Sequence, residues 1–209
     1  MTSPTLRRPP LQQRSTERVE RILEAAQRVL DREGADALST VRVAEEAGVS
    51  IGSLYHWYPD KEAIAEALAL RYWDELAELI EGVADATERG EVEAPIERTL
   101  EVLAAGFRAR PGFLALWFGG LRTEGVRDAT RPVRQRAAVA IERLLAVIAP
   151  DSDPDLRARV AIVLALMGDG LLREAFRLAP DGQPELLAEG AIALRAYATT
   201  RLGIEEPNR

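Results

Sequence analysis

Residues 40–61 read TVRVAEEAGVSIGSLYHWYPDK, and the interpretation of the whole chain starts from this stretch. Apolar residues recur there at intervals of three and four, which predicts two helices of about eight residues each. Gly48 suits the position after a helix end, where a left-handed backbone conformation is needed. Ser50 can accept hydrogen bonds from the free amides of the next helix. The segment therefore predicts two short helices joined by the tight turn Gly48-Val49-Ser50.

Apolar side chains in both short helices can pack the pair together. A helix pair joined by a short glycine-containing turn is a helix-turn-helix. The residues available for this packing are Val43, Ala47, Val49, Leu54 and Trp57. The outer side of the second helix carries no acidic group that would repel phosphate, and it presents Ser50, Gly52, Ser53, Tyr55 and His56.

The rest of the chain also predicts helices, because apolar residues recur at three and four and the alternation typical of strands is nearly absent. Prolines and glycines punctuate these segments. Pro132 predicts either a kink or a new helix start. We expect an all-α fold of about nine helices: 15–33, two short helices after Ser39 and Ser50, then 61–87, 95–108, 113–118, 123–149, 154–178 and 185–202.

The composition excludes several kinds of site. The chain has 209 residues, no cysteine and one histidine, His56. Disulfides, thiol nucleophiles and imidazole-rich zinc sites are therefore excluded, and Ser-His-Asp catalysis would depend on His56. The sequence predicts neither a transmembrane helix nor a secretory signal, because it lacks the apolar stretches that both require. We expect a cytoplasmic protein without a cofactor or a metal.

The net charge of −7 is unevenly distributed. Residues 1–61 hold nine basic and nine acidic side chains, whereas residues 62–209 hold 18 basic and 25 acidic ones. A nucleic-acid-binding domain is usually basic, so the overall charge argues mildly against one. All the excess acid, however, lies after residue 61. The first 14 residues carry Arg7, Arg8 and Arg14 and no acid, which predicts a basic tail able to add nonspecific contacts.

The stretch STVRVAEEAGVSIGSLYHWYPDKEAI, preceded by ERILEAAQRVLDREG, resembles the DNA-binding domain of the TetR family of bacterial repressors. The AGVS turn, the G-x-L-Y element, an aromatic pair and the K-E start of a long helix coincide over about residues 15–70. Trp57 stands where the family more often has Phe, and Pro59 is less usual there. The resemblance implies a helix-turn-helix domain over 15–60 and a ligand-binding and dimerisation domain over 61–204. We expect a disordered basic tail over 1–14 and a frayed tail over 205–209.

The second helix of a helix-turn-helix enters the major groove of DNA. Gly52 would let the backbone approach closely, and hydroxyl and ring groups would contact phosphates, sugars or base edges. Lys61 would hold a phosphate, because free amides and the helix dipole attract anions at a helix start. Tyr55 could instead be a core aromatic, and His56 or Lys61 an ordinary surface residue. The predicted DNA-binding residues are Thr40, Arg42, Ser50, Gly52, Ser53, Tyr55, His56 and Lys61.

The family resemblance implies a homodimer, and the sequence adds its own support. One helix-turn-helix reads few base pairs, whereas two copies roughly 34–36 Å apart supply useful specificity. Residues 156–178 are apolar on more than one side, which predicts a second partner, the alternative being a core within one chain. The predicted dimer-interface residues are Val160, Val163, Leu164, Met167, Leu171, Leu187, Leu194 and Tyr197.

Aromatic residues cluster in the fourth to sixth helices, a pattern typical either of a core or of an apolar ligand pocket. Asp169 interrupts the apolar run LALMGDGLL and could contact a ligand, bond across the dimer or face water. The resemblance implies a small-molecule effector. The predicted ligand-binding residues are Trp73, Phe107, Phe113, Trp117, Phe118 and Met167.

These features predict a regulator, most simply a repressor that binds a palindromic operator as a homodimer. A small apolar or aromatic effector would release it by favouring a different dimer geometry. Two other classes make different demands on the sequence. An architectural DNA-binding protein would carry basic charge beyond the reading domain. A helical-bundle enzyme would need carboxylate and histidine clusters, and no Glu-x-x-His motif exists.

Overall fold

A computed structural model describes residues 13–118 and 124–204. Within those ranges the chain forms nine α-helices and one short 3-10 helix, and no strand. The expected all-α fold is therefore confirmed. The helices are α1 (Gln13–Glu33), α2 (Thr40–Ala47), α3 (Ile51–Trp57), α4 (Lys61–Glu88), α5 (Pro95–Arg108), α6 (Pro111–Phe118), α7 (Glu124–Ile148), α8 (Pro154–Leu178) and α9 (Pro184–Leu202), with the 3-10 helix at Ala35–Ala37.

Short polar side chains start the helices of the N-terminal segment. Ser39 accepts a hydrogen bond from the Arg42 amide at 3.2 Å and so caps α2. Ser50 does the same for α3, accepting from the Ser53 amide at 3.2 Å. Asp60 Oδ1 accepts from the Ala63 amide at 2.8 Å at the start of α4. Each oxygen satisfies an amide that the helix itself leaves without a partner.

Prolines account for several later helix starts, since proline is well tolerated in the first turn. Pro95, Pro111, Pro154 and Pro184 are the first residues of α5, α6, α8 and α9. Pro132 behaves differently, because α7 runs unbroken through it from Glu124 to Ile148. The alternative of a new helix starting at Pro132 is therefore wrong.

The helices divide into two structural units. The first unit holds the described residues up to Trp73 together with those of 110–131. Here α1 packs against α2 and α6, and α2 packs against α3. The expected division at residue 60 differs from this one, because the first part of α4 and all of α6 belong with the N-terminal helices. The fully buried side chains of this unit include Ile22, Val29, Val43, Leu54, Tyr58, Ile64, Leu68 and Tyr72.

The second unit holds residues 74–109 and 132–209, as far as they are described. Its closest helix pair is α8 and α9, and α5 packs on α9. Gly190 of α9 lies so close to α8 that an added Cβ would stand 2.0 Å from Cδ2 of Leu171. The rings of Phe107 and Phe176 stack with their centroids 5.3 Å apart. This unit builds a core of its own, which includes Leu144, Leu145 and Val160.

Candidate nucleic-acid interface

Helix α3 has one buried side and one open side. Leu54 and Trp57 are buried, whereas Gly52, Tyr55 and His56 are exposed and Ser53 is half-buried. The predicted outer side of this helix is therefore confirmed as a surface of the chain. Tyr55 is 42% exposed, so the alternative that it is a core aromatic is wrong.

The turn before α3 has the geometry that its glycine predicts. Gly48 adopts φ 64° and ψ 36°, the left-handed conformation that side chains other than glycine rarely take. The amides of Gly48 and Val49 donate to the carbonyls of Glu45 and Ala44 at 3.1 and 3.0 Å, which closes the end of α2. These bonds fix where α3 begins relative to α2.

Gly52 has no packing role within the chain. A methyl group added at this position would meet no other side chain or backbone atom within 4 Å. The backbone at Gly52 is therefore accessible from outside the chain.

Side chains of α1 and α2 form hydrogen bonds with hydroxyl groups of α3. The hydroxyls of Thr40, at the start of α2, and Tyr55 lie 3.1 Å apart, and either can donate. Arg18 of α1 donates from Nη1 to Oγ of Ser53 at 3.5 Å. The structure thus brings together three predicted residues and adds Arg18, which the sequence analysis missed. Its only signal was a cation on the polar side of α1.

Arg42, predicted to contact DNA, instead pairs with two carboxylates of the chain itself. Its guanidinium donates to Glu33 at 2.6 and 3.2 Å and to Glu46 at 3.3 Å. These hydrogen bonds raise the pKa of Arg42 and lower the pKa of Glu33. Arg42 therefore helps to hold α2 on α1, and a phosphate would have to compete with both carboxylates.

Glu46 of α2 also pairs with two arginines of α1. Arg28 and Arg32 donate to its carboxylate at 3.0 and 2.5 Å. These bonds, with that of Arg28 foremost, lower the pKa of Glu46. The resulting network ties the C-terminal part of α1 to α2 through charge-assisted hydrogen bonds.

Lys61 opens α4, is exposed, and forms no ion pair with any described residue. Part of the predicted phosphate site beside it is already used, because the amide of Ala63 donates to Asp60. The Lys61 ammonium and the first amides of α4 remain available to bind an anion.

The predicted ligand-binding residues fall in both units. In the first, Phe113 is buried with its ring centroid 4.9 Å from that of Tyr72 and 6.2 Å from that of Trp73. In the second, Phe107 is buried against Phe176. Met167 is 36% exposed on α8. The side chains of Trp117 and Phe118 lie outside the part of the chain that the structure describes.

Three predicted dimer-interface residues lie in the core of their own chain. Val160, Leu164 and Leu194 are at most 6% exposed, so their side chains offer no surface to a partner. Because α8 and α9 pack on each other, one stripe of each helix is used within the chain. Val163, Leu171, Leu187 and Tyr197 are half-buried. The apolar side chains left open on the two helices are Ile162, Leu166, Met167, Leu178 and Ile192.

Asp169 is the most buried acidic side chain of α8. Its Oδ2 accepts from Nη2 of Arg173 at 2.7 Å and lies 4.0 Å from Nη2 of Arg134. Its Oδ1 is buried and receives no hydrogen bond from the described residues. A buried acceptor in this state costs free energy unless something supplies a donor.

Metal and membrane sites were also sought in the described ranges, 13–118 and 124–204. No three acidic or histidine side chains come together there as a metal ion would require. None of these helices combines the length and the apolar character needed to cross a membrane.

Two family models match the chain. The model of bacterial regulatory proteins of the tetR family matches residues 22–68, which include α2 and α3. The model of the tetracyclin repressor-like C-terminal domain matches residues 90–202, more than half of the chain.

Individual relatives agree with the family models. The chain is 28% identical over 162 residues to the HTH-type transcriptional repressor DrrR1 of Streptomyces coeruleorubidus, covering 76% of this chain and 54% of that protein. An uncharacterized HTH-type transcriptional regulator of Haemophilus influenzae is 31% identical over 78 residues, covering 37% of this chain and 42% of that protein. The chain thus spans about half the length of these curated relatives.

Solved structures match over nearly the whole chain. A TetR-family transcriptional regulator from Streptomyces coelicolor is 33% identical with a TM-score of 0.62, over 90% of this chain and 98% of that one. The multidrug binding protein EbrR, solved in complex with imidazole, is 25% identical with a TM-score of 0.60, over 91% and 97% of the two chains. Together with the helix-turn-helix geometry around Gly48, these matches show that the chain belongs to the TetR family of bacterial transcriptional regulators.

Proposed function

We propose that the chain is a DNA-binding repressor that occupies a palindromic operator as a homodimer and leaves it when a small effector binds. The observation that carries this proposal is the open side of α3, where Gly52, Tyr55 and His56 are exposed and no acidic residue stands. A function on DNA assigns the chain to the cytoplasm.

The charge distribution supports DNA as the partner despite the net charge of −7. The acidic excess lies after residue 61, and Glu33 of α1 and Glu46 of α2 are paired with arginines. Arg18, Lys61 and hydroxyl groups near α3 are therefore available to phosphate, while Glu45 of α2 is exposed and forms no ion pair with the described residues.

The open apolar side chains of α8 and α9 support a homodimer. Ile162, Leu166 and Ile192 are 51%, 61% and 52% exposed, and Ile162 and Leu166 stand one turn apart on the same side of α8. Apolar residues grouped in this way favour a surface that a partner covers. A two-fold axis pairs such a surface with itself. It also presents two copies of α3 to one duplex, as a palindromic site requires.

EbrR is named for multidrug binding, and by analogy we assign a small apolar or aromatic effector to this chain. Half-buried Asp169 is the polar group that we expect the effector to contact, because a hydroxyl or N–H donor would satisfy its buried Oδ1. The effector would act by binding one dimer geometry more tightly than the other.

The direct test is selection of duplexes from a random pool by the purified chain. We expect enrichment of a palindrome, and release of that duplex by the effector once one is found by ligand screening. Gly52→Glu should abolish selective binding, because it places a carboxylate on the open side of α3. Gly82→Glu is the matched control, since Gly82 is also an exposed helical glycine with open space around it.

Two results would contradict the proposal. Failure of the wild-type chain to enrich any duplex would remove the DNA-binding function. Equal binding by the wild-type and Gly52→Glu chains would remove α3 as the reading helix.

A further inference from the structure

The first turn of α6 receives a hydrogen-bond acceptor from a different helix. The amide of Gly112 donates to Oδ1 of Asp31, near the end of α1, at 2.8 Å. The two residues are 81 positions apart in the sequence, and both belong to the first structural unit. Gly112 is buried, whereas Asp31 is exposed.

This acceptor does the work of an N-cap. The opening amides of a helix have no partner within it, and a short polar side chain just before the helix usually accepts from one of them. Arg110, which precedes α6, has no acceptor group in its side chain. Asp31 supplies the missing oxygen from α1, and its negative charge also suits the positive end of the α6 dipole.

The two backbones approach as closely as glycine allows. A Cβ added at Gly112 would lie 2.5 Å from Oδ1 of Asp31 and 2.8 Å from Cβ of Leu30. Real Cβ atoms essentially never have neighbours this close, and the Cβ of Leu30 cannot rotate away, so any side chain at this position would push α6 away from α1. The docking of α6 on α1 therefore depends on both Asp31 and Gly112.

The same end of α1 also holds α2. Glu33 accepts from Arg42, while Arg28 and Arg32 donate to Glu46 of α2. Residues 28–33 of α1 thus bind α2 through one set of side chains and α6 through Asp31. Because α2 packs on α3, a displacement of this end of α1 would be transmitted through α2 to α3.

We propose that Asp31 is a positioning residue for DNA binding: it caps α6 from α1 and so fixes the part of α1 that supports α2 and α3. The inference rests on the proposed DNA-binding function. It assigns the first turn of α6 to the DNA-reading unit, although this turn lies some 50 residues beyond α3 in the sequence.

The test is Asp31→Ala, measured by hydrogen exchange of α6 and by affinity for the duplex that the wild-type chain selects. Loss of a cap corresponds to about a fivefold change, so we expect α6 amides to exchange about fivefold faster and the affinity to fall about fivefold. Charge alone predicts the opposite sign for the affinity, since removing a carboxylate favours binding to DNA.

Two control variants separate positioning from charge and from stability. Glu24→Ala removes an exposed carboxylate from the same helix, and it should leave α6 exchange unchanged and DNA affinity equal or tighter. Asp31→Asn keeps an acceptor oxygen without the charge and should restore most of both quantities. All binding is measured well below the unfolding midpoint of each variant, so that a loss of stability alone leaves the affinity unchanged.

Each outcome decides one part of the inference. Unchanged α6 exchange in Asp31→Ala would overturn the cap. Faster exchange with unchanged or tighter DNA binding would overturn the positioning role. If the wild-type chain selects no duplex, the proposed function fails and the positioning role fails with it. Hydrogen exchange of α6 would still show whether Asp31 caps that helix.

Discussion

Lys61 is the only lysine of the chain and stands exposed at the first position of α4. We predict that Lys61→Ala weakens binding to a selected and a scrambled duplex by the same factor. A phosphate contact carries no sequence information, and its loss should reduce the slope of log affinity against log salt by about 0.9. Binding titrations at several salt concentrations measure both effects.

The control for Lys61 is Arg98→Ala, which removes one positive charge from α5 in the second unit. It should leave the salt slope unchanged. A loss confined to the selected duplex would mean that Lys61 reads a base, and unchanged affinity for both duplexes would remove the phosphate contact altogether.

Tyr58 is fully buried at the end of α3, and its hydroxyl has no hydrogen-bond partner among the described residues. We predict that Tyr58→Phe leaves the free energy of unfolding unchanged or raises it by up to about 1 kcal/mol, because phenylalanine fills the space without the unsatisfied oxygen. Urea denaturation at pH 7 measures this change. A clear loss of stability would show that the hydroxyl is satisfied.

The buried phenol of Tyr58 should also make the free energy of unfolding depend on pH. Burial, and secondarily the charge of Glu20, raises the pKa of Tyr58 above its ordinary value of 10.0. As the pH rises, the phenol of Tyr58 therefore loses its proton in the unfolded chain before it does so in the folded chain. The neutral phenol contributes its full stability below pH 10, and this contribution declines as the pH rises further. We predict that unfolding free energy falls more steeply above pH 10 in the wild-type chain than in Tyr58→Phe. Parallel curves would contradict the shift.

At the scale of elements, the α8–α9 pair depends on close approach at Gly190. An added Cβ would lie 2.0 to 2.8 Å from three carbon atoms of Leu171. We predict that Gly190→Ala lowers the free energy of unfolding by about 1–3 kcal/mol, since overpacking forces the two helices apart. Thermal or urea unfolding measures the loss.

The control for Gly190→Ala should change the free energy of unfolding in the opposite direction. Gly82→Ala also replaces a helical glycine, but nothing lies within 4 Å of the added group, so it should stabilise α4 by up to about 1 kcal/mol. Equal effects of the two substitutions would mean that helix propensity, and not the contact between α8 and α9, governs both positions.

At the scale of the whole molecule, the proposed dimer depends on the open apolar side chains of α8 and α9. We predict that Leu166→Glu, at a position 61% exposed, yields a folded monomer whose affinity for a palindromic duplex falls to that for a half-site. Sedimentation measures the assembly, and circular dichroism checks the fold.

Val139→Glu is the matched control for Leu166, because Val139 is a large apolar residue of α7, 54% exposed in the same unit. It should remain dimeric. A Leu166→Glu chain that stays dimeric would assign the interface to another surface. Leu164→Glu would be uninformative on this point, since Leu164 is buried and its replacement unfolds the core.

Local chemistry determined the helices and the turn around Gly48. Serine caps, prolines at helix starts and a left-handed glycine act within a few residues, so their effects could be predicted from neighbouring positions. The open side of α3 could be predicted in part for the same reason, because Leu54 and Trp57 suit a core, whereas for Tyr55 only the structure decided between core and surface.

Only the tertiary structure determined the partners of side chains that contact residues distant in the sequence. Helix α8 is apolar on most sides, so only its packing against α9 shows that Val160 and Leu164 are buried while Ile162 and Leu166 are open. Charged pairs within one helix, such as Asp169 and Arg173, follow a spacing of three or four residues, but pairs between helices follow no fixed spacing. Arg42 pairs with Glu33 nine positions away, and Asp31 meets Gly112 at 81, because chain segments distant in sequence come together only when the core forms.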